Sequence, residues 1–137
     1  MTEQPGVSER FPTASPWPLF VALGLALSEL GLLLGFFPIA VGGVLLFGGA
    51  IAGILTEAEY VSHLWKTMGK IAFVLLAIGI ALVVLQGSYD LSTFLAAVDA
   101  PNAAGHRLLS RGLAVIAAAV ILVGTALAGQ TSAATSR

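Results

Sequence analysis

Four apolar runs, each about 20 residues long, decide what this chain can fold into. That length crosses a hydrocarbon core of about 30 Å at about 1.5 Å per helical residue. The runs cover residues 17–36, 38–55, 68–86 and 108–129. A buried soluble core could hold one such run, but four in a chain of 137 residues leave no polar shell to cover them. Only 9% of residues are charged and 58% are hydrophobic, against about 25% charged in an ordinary soluble domain. The expected fold is all-α: a polytopic membrane protein with four transmembrane helices in a small bundle. A polar N-terminal tail (1–16) and a polar C-terminal tail (130–137) flank the membrane domain (17–129). The 130–137 tail is expected to be loose.

Local signals place the boundaries. Ser15 is the expected N-cap of the first span, with Pro16 and Pro18 in its opening turn, where a missing N–H costs nothing. Trp17 stands where an interfacial aromatic belongs. Gly35-Phe36-Phe37-Pro38 breaks the apolar stretch, and no charge lies between Glu29 and Glu57. One continuous helix there would overshoot the bilayer. Pro38 cannot continue the preceding hydrogen-bond ladder, so a tight hairpin is expected, with Pro38 opening the second span. Thr56 to Lys70 forms the first charged connection. Between the third and fourth spans, Leu91, Phe94, Leu95 and Val98 recur at helical spacing after Asp90. This predicts a short helix lying in the membrane interface.

Composition excludes several function classes. A net charge of −1 provides no basic field for nucleic acid. The absence of cysteine removes disulfides, thiolate metal sites and cysteine nucleophiles. His63 and His106 fall in polar connections on opposite sides of the expected topology, and Met68 lies near a span end, so no haem, copper or other metal site is expected. The glycines form neither a dinucleotide fingerprint nor a phosphate loop. No catalytic residue and no cofactor is expected. The first span follows a polar segment without a basic region, so it is expected to be retained rather than cleaved as a signal. Lys and Arg near the span ends divide as Arg10, Lys66, Lys70 and Arg137 against Arg107 and Arg111. That bias favours a plasma-membrane topology with both termini cytoplasmic.

Glu29 is the ionisable residue deepest in an apolar run, about twelve residues after Trp17 and near the expected midplane. A charge at mid-span costs about 2.5–3.5 kcal/mol, while each Leu, Val or Phe returns about 0.3–0.6 kcal/mol. The span inserts, but Glu29 is a net cost. It is expected either to be protonated, donating a hydrogen bond to a neighbouring helix, or to handle protons or cations. Small residues mark expected packing faces: Gly24, Ser28, Gly31 and Gly35 on the first helix, Gly42, Gly49 and Gly53 on the second, and Gly124 and Ala128 on the fourth. Such faces serve internal packing or docking on another membrane protein. Arg107 and Arg111, four apart, read as a snorkelling pair at a helix end or as a contact for lipid phosphate or a partner.

Two resemblances bear on function. Glu3-Gln4-Pro5-Gly6, Ala14-Ser15-Pro16-Trp17-Pro18, the run from Phe20 to Glu29, Phe37-Pro38-Ile39-Ala40-Val41-Gly42-Gly43 and Phe47-Gly48-Gly49 resemble the haloarchaeal "cox cluster" small membrane proteins, encoded beside haem-copper terminal oxidase subunits. The similarity covers residues 3 to 61. It implies a non-catalytic accessory or assembly role in the archaeal respiratory chain, with the bilayer and terminal oxidase subunits, or further copies of the chain, as partners. Glu29-Leu30-Gly31 in the first of four short spans is also similar to the small multidrug-resistance transporters. There a glutamate binds proton and cationic drug in competition, as a homo-oligomer. The third span here, residues 68–86, contains no Trp or Tyr to cradle a cation, a departure from that family.

Overall fold

The computed structural model describes residues 14–58, 63–87, 89–103, 105 and 107–135, with side chains to 132. Among these residues the regular structure is entirely helical: α1 (Trp17–Leu34), α2 (Phe37–Glu57), α3 (Leu64–Gln86), α4 (Leu91–Asp99) and α5 (Arg107–Thr135). Four of the five (α1, α2, α3 and α5) are long and apolar enough to cross a membrane.

The α1–α2 break follows from backbone chemistry. Gly35 adopts φ +82°, a left-handed conformation that glycine enters without steric penalty. The Phe36 N–H donates to the Gly31 carbonyl at 2.7 Å and the Gly35 N–H to Leu32 at 3.4 Å. This is a Schellman closure, which satisfies carbonyls left over at the helix end. Pro38 then falls in the first turn of α2. At the start of α1, Pro16 rather than Ser15 takes the cap position. The Ser15 hydroxyl instead donates to the Glu57 carboxylate at 2.6 Å, tying the beginning of α1 to the end of α2.

The molecule is two antiparallel helix pairs, α1 with α2 and α3 with α5, joined along α2 and α5. Both pairs are zipped by glycine. A Cβ on Gly24 would sit 2.5 Å from the Phe47 amide nitrogen, and one on Gly31 or Gly43 would collide with the backbone of Ala40 or Ser28. In the second pair, a Cβ on Gly79 would lie 2.9 Å from the Gly112 carbonyl oxygen, and the reverse distance is the same. Each pair also seats a tryptophan on a glycine, Trp17 on Gly53 and Trp65 on Gly129. The core between the pairs is built from small and branched side chains, among them Ala40, Val44, Ala72, Leu75, Ala118 and Leu122. Alanine there lets the helix axes approach, so dispersion can hold surfaces that have no water to expel.

Two boundaries differ from expectation, and Asp90 stands where it was expected. The third helix begins at Leu64, because Trp65, Lys66 and Lys70 continue a helix as readily as they leave the apolar layer. The fourth long helix continues to Thr135. Its tail was expected to be loose, but Gln, Ser, Ala and Thr are tolerated in a helix already nucleated by packing, and the Thr131 hydroxyl donates back to Ala128 at 2.9 Å. Asp90 holds the cap position of α4 in extended conformation, without a side-chain hydrogen bond.

Candidate functional site

Glu29 and Arg111 meet across the two helix pairs. Arg111 Nε donates to Glu29 Oε1 at 3.1 Å and Nη2 to Oε2 at 2.5 Å. This is the bidentate fork that matches guanidinium to carboxylate. Among the described residues it is the only salt bridge. It also links α1 to α5, two helices that otherwise touch little.

The geometry shows how residues 82 positions apart come together. Glu29 lies five residues before the end of α1 and Arg111 four residues after the start of α5. At about 1.5 Å per residue both stand roughly 6–8 Å inside the same end of the bundle. Glu29 is therefore about 5 Å beyond the midpoint of its 18-residue helix rather than at it. The side chains are half exposed, 41% for Arg111 and 51% for Glu29. In water a pair so exposed would contribute about 0–1 kcal/mol. In a bilayer, a pair at this depth would face headgroup and hydrocarbon, and each charge would make the other tolerable. Ser28, next in sequence, takes no part: its hydroxyl donates to Leu25 within α1 at 2.7 Å.

Two cavities flank the pair and share it as a wall. The outer one, about 250 Å³, lies toward the end of the bundle and is lined by Asn102, Arg107, Pro101 and Leu33 as well as the pair. The inner one, about 230 Å³, is lined by Leu25, Phe47, Ile78 and Leu82 with the same two charged residues. At the opposite end a third cavity, about 490 Å³ and almost wholly apolar, opens between Trp17, Trp65, Gly49, Leu64 and Met68.

The chain matches, over residues 1–132, a family described as "Family of unknown function (DUF7541)". It belongs to that family. No curated protein and no solved structure matches it. Family membership thus assigns this DUF7541 chain no chemistry, and its own residues must carry the argument.

The residues singled out in the sequence separate into distinct settings. Gly24, Ser28 and Gly31 form the α1 side of the first helix seam, whereas Gly35 makes the turn. On α2 the seam is carried by Gly43, one position round from Gly42. Gly53 seats Trp17, while Gly42 and Gly49 meet nothing within 4 Å. Gly124 likewise has no neighbour within 4 Å, and Ala128 is exposed. Trp17 is half-buried at the bundle end opposite the ion pair. Arg107 is exposed, and among the described residues it has no acidic partner. His63 is exposed at the start of α3, and His106 lies outside the described residues. Among the described residues no three His, Cys, Asp or Glu side chains gather as metal ligands. The Glu29–Arg111 pairing, the Gly43 seam and the Gly79–Gly112 contact went unread in the sequence. The available signal for the first was depth: two charges one to two turns inside spans whose ends share a side.

Proposed function

We propose that this DUF7541 protein is a non-catalytic accessory or assembly protein of the archaeal plasma membrane, associated with a haem-copper terminal oxidase of the respiratory chain. The observation that carries the reading is the outward direction of small residues that the bundle itself does not use. Gly124 and Ala128, four apart on α5, face outward, and so does Gly42 on α2. In a bilayer such faces allow another helix to approach to backbone distance. The choice of an oxidase as partner rests on the similarity of residues 3 to 61 to the cox-cluster proteins. In this reading α4 lies in the interface: its Leu91 and Leu95 are 72% and 62% exposed, while its opposite side is held to α5 through the Ser110 hydroxyl, which donates to Ala97 at 3.1 Å. The Lys/Arg bias favours cytoplasmic termini.

A second reading, a small proton-coupled cation or multidrug transporter working through Glu29 as a homo-oligomer, is favoured by one observation: Glu29 lines two cavities. Arg111 weighs against it. A transport carboxylate exchanges a proton for a cationic cargo, and here both carboxylate oxygens are held by a guanidinium that does not deprotonate. A photo-crosslinking residue at position 128 tests the proposal in native membranes. Capture of an oxidase subunit is expected. Capture of a second copy of the chain with no oxidase subunit would overturn the accessory reading and promote the transporter.

A further inference from the structure

The two cavities either side of Glu29–Arg111 differ in chemistry, and together they have the polarity profile of a lipid. The outer cavity carries the amide of Asn102 and the guanidinium of Arg107. The inner one is walled by Leu25, Ile78 and Leu82, with α1 on one side and α3 on the other. Each is smaller than the roughly 300–1,000 Å³ of a pocket that encloses a whole ligand, as suits a lipid held only in part, with the rest of it in the bilayer, and the same ion pair lines both. The charge is also specific. Glu29 neutralises Arg111, so the site retains the single positive charge of Arg107, matched to one phosphodiester.

The position fits the same occupant. Arg107 opens α5 and Arg111 follows one turn deeper, which aligns the polar cavity with the headgroup layer and the apolar one with the acyl layer. Asn102, though exposed, lies over the α1–α2 turn, where a Cβ on Gly35 would come within 3.4 Å of its Oδ1. The amide therefore stands between the α4–α5 connection and the first helix pair. Leu30 and Leu33, on the outer face of α1, are exposed beside the outer cavity and offer an apolar surface for the glycerol backbone.

The geometry points to a binding site for one membrane lipid with an anionic phosphodiester headgroup: the phosphate on Arg107 and Asn102, and an acyl or alkyl chain in the cleft between α1 and α3. This goes beyond the accessory reading and does not depend on an oxidase partner. A lipid in this cleft would fill the gap that the ion pair spans and hold the two helix pairs at a fixed separation.

Native mass spectrometry of the full chain in detergent tests it, with dioleoylphosphatidylglycerol, dioleoylphosphatidylcholine and inorganic phosphate as probes. One phosphatidylglycerol should bind about tenfold more tightly than phosphatidylcholine, the scale of a charge-assisted contact. Arg107→Gln should remove that preference, and Lys66→Gln, the same charge change at the other end of the bundle, should leave it intact. Asn102→Asp, which adds a negative charge to the cavity without touching Arg107, should also remove it. Ile78→Trp, which occupies the inner cavity, should weaken phosphatidylglycerol severalfold. Equal binding of the two lipids by the wild type, or an undiminished preference in both Arg107→Gln and Asn102→Asp, would overturn the proposal. Displacement of phosphatidylglycerol by millimolar inorganic phosphate would make this a free-anion site and overturn it equally.

Discussion

At the scale of single residues, the structure turns Glu29 from a costly isolated carboxyl into half of an ion pair. Its partner was visible as a residue but not as a partner. Arg111 stands at the start of an apolar run, where a long cationic side chain ordinarily reaches for the interface, and the run lengths did not show that it turns toward Glu29 instead. The pair makes a quantitative prediction. Glu29→Gln leaves a guanidinium without its counter-charge and Arg111→Gln leaves a carboxylate without its donor. Each should lower unfolding stability in detergent by about 1.5–3 kcal/mol, the scale of a hydrogen bond to a charged group. The charge-swapped double variant, Glu29→Arg with Arg111→Glu, should recover most of that loss. A double-mutant cycle with coupling below about 0.5 kcal/mol would show the two positions to be independent.

Glycine supplies the sharpest contrast at neighbouring positions. Gly43→Ala places a methyl against the Ser28 backbone, and overpacking of this kind costs about 1–3 kcal/mol or more. Gly42→Ala meets nothing within 4 Å and should be neutral or gain up to about 1 kcal/mol from reduced backbone entropy. Thermal unfolding of the two variants should therefore move in opposite directions, or Gly43→Ala alone should move. An equal loss for both would put the α1–α2 seam elsewhere.

At the scale of elements, run length and proline logic were enough for four long helices and a tight α1–α2 turn, because both depend on local chemistry: hydrocarbon thickness, and a residue with no N–H. Less was legible where tertiary packing decides. The second helix offers Gly42, Gly43, Gly48, Gly49 and Gly53, and small-residue spacing cannot say which of them faces a neighbour. The pairing of α3 with α5 through Gly79 and Gly112 lay hidden for the same reason, since a lone glycine in an apolar run carries no period. The end of α5 was misjudged because polarity marks the limit of the membrane layer, not the limit of the helix. The element order does predict sidedness: α4 and the end of α5 lie at opposite ends of the bundle. Cysteines introduced at Ser92 and Ser132 should label from opposite faces of the membrane, with Ser132 reached from the cytoplasm. Labelling of both from one side would contradict the four-span topology.

At the scale of the molecule, two glycine-zipped helix pairs share an alanine-rich core along α2 and α5 and are clasped at one end by Glu29 and Arg111. Nearly everything charged within the long helices is used to hold the pairs together or marks their ends, and among the large apolar side chains on the outside the small residues Gly42, Gly124 and Ala128 leave room for another helix. That arrangement suits the proposed accessory role, in which the carboxylate of Glu29 is a structural clasp rather than a carrier. The most direct test is gentle-detergent purification of tagged wild-type and charge-swapped chains from native membranes, with identification of co-eluting proteins. Terminal oxidase subunits should co-elute with both, because the clasp survives when its charges are exchanged. Elution of the wild type without oxidase subunits, or loss of them from a swapped chain that still folds, would contradict it.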